Sequence, residues 1–258
     1  MQDAFRRRVL GRSRRFAASP TRIPDLATVL HDRYSHGLIH VGLSQVESVS
    51  AAAAAEAVLS ELEAALSCFC VPAFTPSFRK NRVFDIKKSI PEVGSFSRFC
   101  MDRQNFRTRD PIHSLFVFKD AGRSILALPT RDTFAPGGVY ETFITPGSCW
   151  INIGTPEIVS TALHFIERAA VVPYLLKETI EGTIIDETGN EEQVNQVSYK
   201  YRMKACWNRR KIEEYLRAIR CIEYFEWKGA LVRIVDGHRA FIGLLDKLKQ
   251  DPFFLVTG

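Results

Sequence analysis

Short apolar runs and longer amphipathic stretches follow one another along this chain, and their spacing predicts its elements. Residues 24–36 read as a short helix, and Leu38-Ile39-His40-Val41 is an apolar block of strand length. Gly42-Leu43-Ser44-Gln45 then turns into an Ala/Glu/Leu helix over about residues 47–66, whose composition strongly favours helix. A strand at Cys68–Pro72 follows, and residues 74–109 are polar and aromatic with little periodicity. The runs 115–119 and 125–128 have strand length, while residues 129–147, rich in Pro, Gly and Thr, predict a loop. Trp150-Ile151-Asn152-Ile153-Gly154 predicts a buried strand with a helix over 161–170 behind it. Residues 178–203 predict a hairpin turning at Glu187-Thr188-Gly189-Asn190. The remainder predicts helices near 209–219 and 238–249, separated by a strand over 230–235. Strands and helices mix without a repeat or linker, so the expectation is one α/β domain over 23–258. It is read as three-layer α/β/α, a mixed central sheet between helices, with an extended loop and hairpin subdomain.

Composition adds little: 46% hydrophobic and 25% charged residues are ordinary for a globular protein. The formal charge of +6 changes the picture through its location. Residues 1–22 carry seven arginines, Arg6 to Arg22, against Asp3 alone, so residues 23–258 have no net charge. The body therefore lacks the electrostatic footprint of a nucleic-acid binder, and no nucleic acid is expected as a partner. The arginine segment reads as a solvated, mobile tail; binding an anionic surface and organelle targeting are the alternatives. No apolar run approaches the ~18–20 residues of a membrane span, and no secretory pattern follows the arginines, which predicts a cytoplasmic protein. Of the six cysteines, Cys68 and Cys70 are spaced too tightly for a zinc knuckle, so no metal is expected.

Three segments carry candidate chemistry. The turn from His40 to Gln45 links a strand to a predicted helix, where free N–H groups suit a phosphate or an oxyanion, and Gly42 permits close backbone approach. It matches neither a dinucleotide fingerprint nor a phosphate-binding loop with its lysine, and a plain helix cap has the same appearance. His164 and Glu167 stand three apart on a predicted helix, a spacing that lets a carboxylate fix an imidazole as a general base. The same spacing describes a half-buried histidine with a charge partner. Arg107-Thr108-Arg109-Asp110-Pro111-Ile112-His113-Ser114 packs polar groups against an apolar strand, as a site or as turn chemistry.

Taken in order, these segments resemble the aminoglycoside 3-N-acetyltransferase family, also called antibiotic N-acetyltransferases. His40-Val41-Gly42-Leu43-Ser44 stands where that family has an H-T-S-L-S turn, and Pro72-Ala73-Phe74-Thr75 where it has P-T-F-T. The D-x-x-x-T-P-S-x-x-G stretch is met by Asp85 to Gly94, with Ser89-Ile90-Pro91 in place of T-P-S. R-S-x-H-P-x-x-S is met by Arg107 to Ser114, with Asp110 in place of His. T-x-L-H-x-x-E is met by Thr161-Ala162-Leu163-His164-Phe165-Ile166-Glu167, and Gln250 to Leu255 is similar to the family's ending. The pyrophosphate loop of the commoner acetyltransferase fold, Q/R-x-x-G-x-G/A, is absent from the sequence.

The resemblance implies an acyl-CoA-dependent N-acyltransferase that acetylates an amino-sugar amine by direct attack, with acetyl-CoA as donor and no cysteine intermediate at Cys149. It implies His164 as base and Glu167 as its orienting partner. Coenzyme A contacts are implied for His40, Gly42, Leu43, Ser44, Gln45, Thr75, Arg107, Thr108 and Ser114, and acceptor contacts for Asp85, Asp110 and His113. Arg107 is the expected phosphate ligand, and the Thr108 and Ser114 hydroxyls join the turn's N–H groups as oxyanion donors. The departures at Ser89-Ile90-Pro91 and Asp110 favour an acceptor from glycan or natural-product biosynthesis, with aminoglycoside resistance as the alternative. A non-catalytic module that recruits partners through its arginine tail is the reading of another class. A homodimer is compatible with the sequence.

Overall fold

A computed structural model describes residues 20–103, 106–120, 124–202 and 205–257. The first short strand, β1 (Thr21–Arg22), precedes helix α1 (Ala27–Leu30) and strand β2 (His36–Val41). After a single 3-10 turn come α2 (Ala51–Ala65), β3 (Cys68–Pro72), α3 (Phe78–Asn81), β4 (Val83–Asp85) and α4 (Ser95–Met101). Strands β5 (Phe106–Arg107), β6 (Leu115–Phe118) and β7 (Ser148–Ile153) lead to helix α5 (Ala162–Ala169). The hairpin β8 (Leu175–Ile185) and β9 (Glu191–Tyr201) follows, then β10 (Cys206–Trp207) and α6 (Arg209–Ala218). The chain closes with β11 (Ile222–Trp227), β12 (Ala230–Asp236), α7 (Gly237–Gln250) and β13 (Val256–Thr257).

Eight strands form a central sheet in the order β1-β11-β12-β7-β2-β3-β6-β5. Its middle strands β7, β2 and β3 are parallel, the pairs β11-β12, β12-β7, β3-β6 and β6-β5 are antiparallel, and the edge strand β1 lies parallel to β11, so the sheet is mixed. Alternation along the buried strands divides two apolar layers. Ile39, Phe69, Val71, Cys149, Ile151 and Ile153 pack with α1, α2 and α4. Leu38, Cys70, Val117 and Trp150 pack on the other face with α5, α6 and α7. The three-layer α/β/α expectation holds. A second sheet, β4-β8-β9, has its own small core of Phe78, Phe84, Ile86, Ile112, Ile180, Ile184 and Val194, and forms the extended subdomain.

Several boundaries differ from the sequence reading. The long helix starts at Ala51, because the Ser50 hydroxyl caps it by accepting from Ala53 N at 3.1 Å. The turn after β2 is therefore a three-residue 3-10 element, Leu43–Gln45, and no α-helix begins at Ser44. Residues 125–128 are turn and bend, since the Asp120 carboxylate accepts from Ser124 N, Ser124 Oγ and Ile125 N and winds the chain there. The predicted loop 129–147 contains a 3-10 segment at Val139–Ile144. Thr21 and Arg22, assigned to the tail by charge, pair with Phe225 and Glu226 in the sheet. Residues 1–19 of the expected tail lie outside the described residues. Among the described residues, no helix is long and apolar enough to cross a membrane.

Candidate active site

Helix α5 lies over the sheet on its apolar side, burying Ala162, Leu163, Phe165, Ile166 and Glu167 and leaving His164 at the margin. His164 Nδ1 sits 2.8 Å from Glu167 Oε2; the imidazole side chain is 25% exposed and the carboxylate fully buried. A carboxylate only accepts, so Nδ1 carries the hydrogen and Nε2 holds the free lone pair.

Glu167 is also held by three aromatic donors. Tyr174 Oη–H donates to Oε1 at 3.0 Å, and Trp207 Nε1–H to the same oxygen at 3.0 Å. The Tyr201 hydroxyl lies 3.1 Å from both carboxylate oxygens. Burial, followed by the Glu167 charge, pushes the phenols of Tyr174 and Tyr201 well above their ordinary range, so both remain protonated donors. The imidazole packs against Trp207, Phe134 and Tyr201, with ring centroids at 4.5, 5.4 and 5.7 Å. Beyond Phe134 lie His113 and Tyr199, at centroid distances of 5.4 and 5.8 Å. Tyr201, Trp207 and Phe134 were not predicted as site residues. The alternation Tyr199-x-Tyr201 on one face of β9 was the available signal.

His40, at the end of β2, reaches the start of α5, whereas Leu43 in the following turn packs in the opposite layer. His40 and Asn152 are register partners, and His40 Nε2 is 3.5 Å from the Thr161 hydroxyl at the start of α5. In this crevice His40 Nδ1, Asn152 Nδ2 and Ser160 Oγ are buried polar atoms with no hydrogen-bond partner. Burial, with the Arg209 charge second, pulls the His40 imidazole down to about 3, so it is neutral. Gly42 Cα faces the backbone of Gly154; a Cβ there would lie 2.5 Å from Gly154 O. That approach accounts for Gly42 without a ligand. Leu43 and Gln45 are buried, with Gln45 Nε2 donating to Ser44 Oγ at 3.5 Å, while Ser44 is exposed. Gln45 N and Val46 N bond back to Gly42 O and Leu43 O, and the N–H groups of Leu43 and Ser44 come ahead of those bonds.

The segment 85–114 corrects the sequence reading. Arg107 is buried and donates to Ala73 O at 2.5 Å, to Ser114 Oγ at 3.1 Å, to Ile86 O at 3.5 Å and to Ser89 O. It lies over the rings of Phe84 and Phe116, so its described contacts tie strands together within the fold. Ser114, fully buried, donates to Ala73 O at 2.7 Å, and Thr75 donates to Pro111 O at 2.7 Å. The Thr108 hydroxyl accepts from Leu115 N at 2.9 Å. Thr75 and Ser114 thus give their hydroxyl hydrogens to backbone carbonyls, whereas Thr108 acts only as an acceptor in this bond.

Asp110 is equally occupied: Oδ1 accepts from Ile112 N and His113 N, and Oδ2 from Thr133 Oγ1 and Gln196 Nε2. Desolvation raises its pKa despite those donors. Asp85 Oδ1 caps the turn at Lys87 N and Lys88 N. Asp85 holds a local turn, whereas Asp110 ties its own turn to Thr133 and Gln196. His113 stays near the dyad, between Phe74 and Phe134; burial and the charges of His164 and Arg79 hold its pKa well below the usual value. Tyr174 serves Glu167, and Lys177 pairs with Asp132 at 3.8 Å.

Cys149 lies in the opposite layer from α5, and burial pushes its thiol far above the thiolate range. Among the described residues, no group of three or more His, Cys, Asp or Glu side chains is placed to hold a metal ion.

No family model matches the chain, and no curated protein matches it. Solved structures do. The aminoglycoside acetyltransferase AAC(3)-IVa, as a variant in complex with a gentamicin, superposes with a TM-score of 0.71 at 18% identity, covering 94% of each chain. AAC-IIIb with CoASH gives 0.71 at 17% identity, over 88% of this chain and 94% of its own. The YokD protein from Bacillus subtilis gives 0.69 at 14% identity, over 90% and 96%. Over nearly its whole length, this chain has the fold of the aminoglycoside acetyltransferases.

Proposed function

We infer that the protein is an acetyl-CoA-dependent N-acetyltransferase that acetylates an amine of an aminoglycoside. The observation that carries the reading is the His164–Glu167 pair: an exposed-edge imidazole whose Nδ1 is committed to a buried carboxylate and whose Nε2 is left as a base. Support for donor and acceptor comes from structures of the same fold bound to CoASH, a gentamicin, sisomicin and apramycin.

An aminoglycoside amine is largely ammonium at neutral pH and cannot attack until it loses a proton. That first proton passes to solvent. His164 Nε2 takes the second as nitrogen bonds to the thioester carbonyl carbon, and Glu167 stabilises the resulting imidazolium until its proton passes on to the thiolate or to solvent. The Leu43 and Ser44 N–H groups are the donors available to the tetrahedral oxyanion, which collapses with departure of the coenzyme thiolate. A base of this kind contributes about 10²–10⁴-fold, and each oxyanion donor about 10²–10³-fold.

A second reading, an amino sugar of glycan or natural-product biosynthesis, is favoured by one observation. Asp85 and Asp110 are engaged in turns, while Asp132 and Glu178 already pair with Arg168, Lys177, Arg79 and Lys200. Those four carboxylates are thus already engaged within the fold. Thiol release from acetyl-CoA, measured against aminoglycosides and nucleotide-linked amino sugars, separates the two. The His164→Ala variant is expected to lose about 10²-fold or more in kcat while retaining CoA binding. Full-rate transfer by that variant overturns the mechanism.

A further inference from the structure

We propose that Tyr201 and Trp207, backed by Tyr174, are positioning residues that keep Glu167 an uncompensated anion and so set the protonation behaviour of His164. The proposal rests on His164 being the base. Among the described residues, Glu167 forms no ion pair with lysine or arginine; its one ion-pair partner is His164. Arg168, its neighbour on α5, instead donates to Tyr199 Oη at 3.0 Å and pairs with Asp132 at 3.8 Å. A fully buried carboxylate must be hydrogen-bonded, and here O–H and N–H donors from three separate segments do it. Neutral donors satisfy lone pairs without cancelling the charge. The negative charge is thus left for the imidazolium that forms during catalysis.

The donors also fix geometry. Tyr174 and Trp207 both address Oε1, which leaves Oε2 for His164. Tyr201, with one hydrogen and two oxygens at 3.1 Å, can follow the charge as it shifts between them. Trp207 covers the imidazole face while its N–H grips the carboxylate, so one side chain orients both members of the pair. Its strand is held by β13 through the Trp207–Val256 pairing.

Other groups face the pair at greater distance. His113 and Tyr199 lie across Phe134, with Asp132 and Arg168 bonded to Tyr199. Cys206 adjoins Tyr201 electrostatically, and Asp251 adjoins Tyr174. None of them bonds to the Glu167 carboxylate.

The donors stabilise the state with neutral imidazole and ionised Glu167 more than any state with an added proton. Removing one therefore makes the pair easier to protonate, whereas removing the carboxylate makes the imidazole harder to protonate. The two perturbations must shift the acid limb of the kcat–pH profile in opposite directions.

The experiment compares Tyr201→Phe, Trp207→Phe and Glu167→Gln with the unaltered enzyme, using acetyl-CoA and its best acceptor. For Tyr201→Phe, kcat is expected to fall about 10-fold with KM for the acceptor within about 2-fold, and the acid limb to rise by about half a pH unit. Trp207→Phe is expected to shift the limb the same way, and Glu167→Gln to shift it to lower pH. Nitrogen-15 NMR of the His164 ring, which needs no turnover, should report Nδ1–H in Tyr201→Phe and a tautomer mixture in Glu167→Gln. An unmoved or lowered limb in both aromatic variants, or a loss confined to KM, overturns the proposal. If His164→Ala is inactive while the limbs stay put, this inference alone fails; if His164→Ala is active, the base assignment fails and takes this inference with it.

Discussion

Replacing Arg107 by Met separates a structural role from a coenzyme-binding one. The methionine keeps an unbranched apolar stem between Phe84 and Phe116 but has no donor. Ala73 O would retain its bond from Ser114, whereas Ile86 O and Ser89 O would lose the guanidinium. Two stranded carbonyls at about 1–3 kcal/mol each, plus the lost charge-assisted bond to Ser114, give a destabilisation on the order of 3–5 kcal/mol. In a domain of this size that corresponds to a melting temperature lower by about 10 °C. Burial pulls the guanidinium down to about 10, so it is cationic at neutral pH and the loss is that of a buried charged donor. Equilibrium urea unfolding measures the first quantity, and calorimetric titration with coenzyme A measures the second, below the new melting point. The expectation is a large loss of stability with a coenzyme Kd unchanged within about 2-fold, since the lost bonds are intramolecular. A variant as stable as the parent that binds coenzyme A ten times more weakly would refute the inward-facing assignment.

Two further outcomes follow from the crevice beside β2. Gly42→Ala would place a Cβ 2.5 Å from Gly154 O, where backbone must move, and should destabilise by about 2–4 kcal/mol in thermal melting. Wild-type stability after that change would show that the two strand ends do not meet so closely. His40 has a folded pKa near 3, below its usual value near 6.5. The unfolded chain therefore binds one more proton between those values, and stability rises with pH across that window and is complete above about 6.5. His40→Gln should flatten the slope of unfolding free energy against pH there by about one proton; an unchanged slope would mean that His40 titrates normally.

The parts legible in the sequence are those where one physical signal dominates. The runs that became β2, β3, β6 and β7 are apolar on both faces because helices cover both sides of the sheet. The hairpin was legible from its alternation and its Gly189 turn. Strand β11 was not, because Ile222-Glu-Tyr-Phe-Glu-Trp227 follows a charged helix directly and its glutamates break the apolar run. Strands β1, β4, β5, β10 and β13 span two or three residues, too few to show a period. The His164–Glu167 pair was legible from i,i+3 spacing, since helical geometry alone brings those side chains together. Its aromatic donors were not, because their positions depend on where a hairpin and a C-terminal strand fold back.

Asp110 and Glu167 show how one residue type, equally buried, can have quite different surroundings. Both are buried carboxylates without a hydrogen-bonded lysine or arginine among the described residues, and both accept from neutral donors. Asp110 draws two of its donors from the backbone of its own turn and two from uncharged side chains, so nothing bonded to it can change charge in the pH range of catalysis. Glu167 keeps one oxygen for an imidazole, the one partner in either set that can gain a proton near neutrality. A buried anion bonded only to fixed donors stabilises one conformation. A buried anion bonded to a titratable group on an exposed edge stabilises one protonation state over another, and that difference is what a base requires.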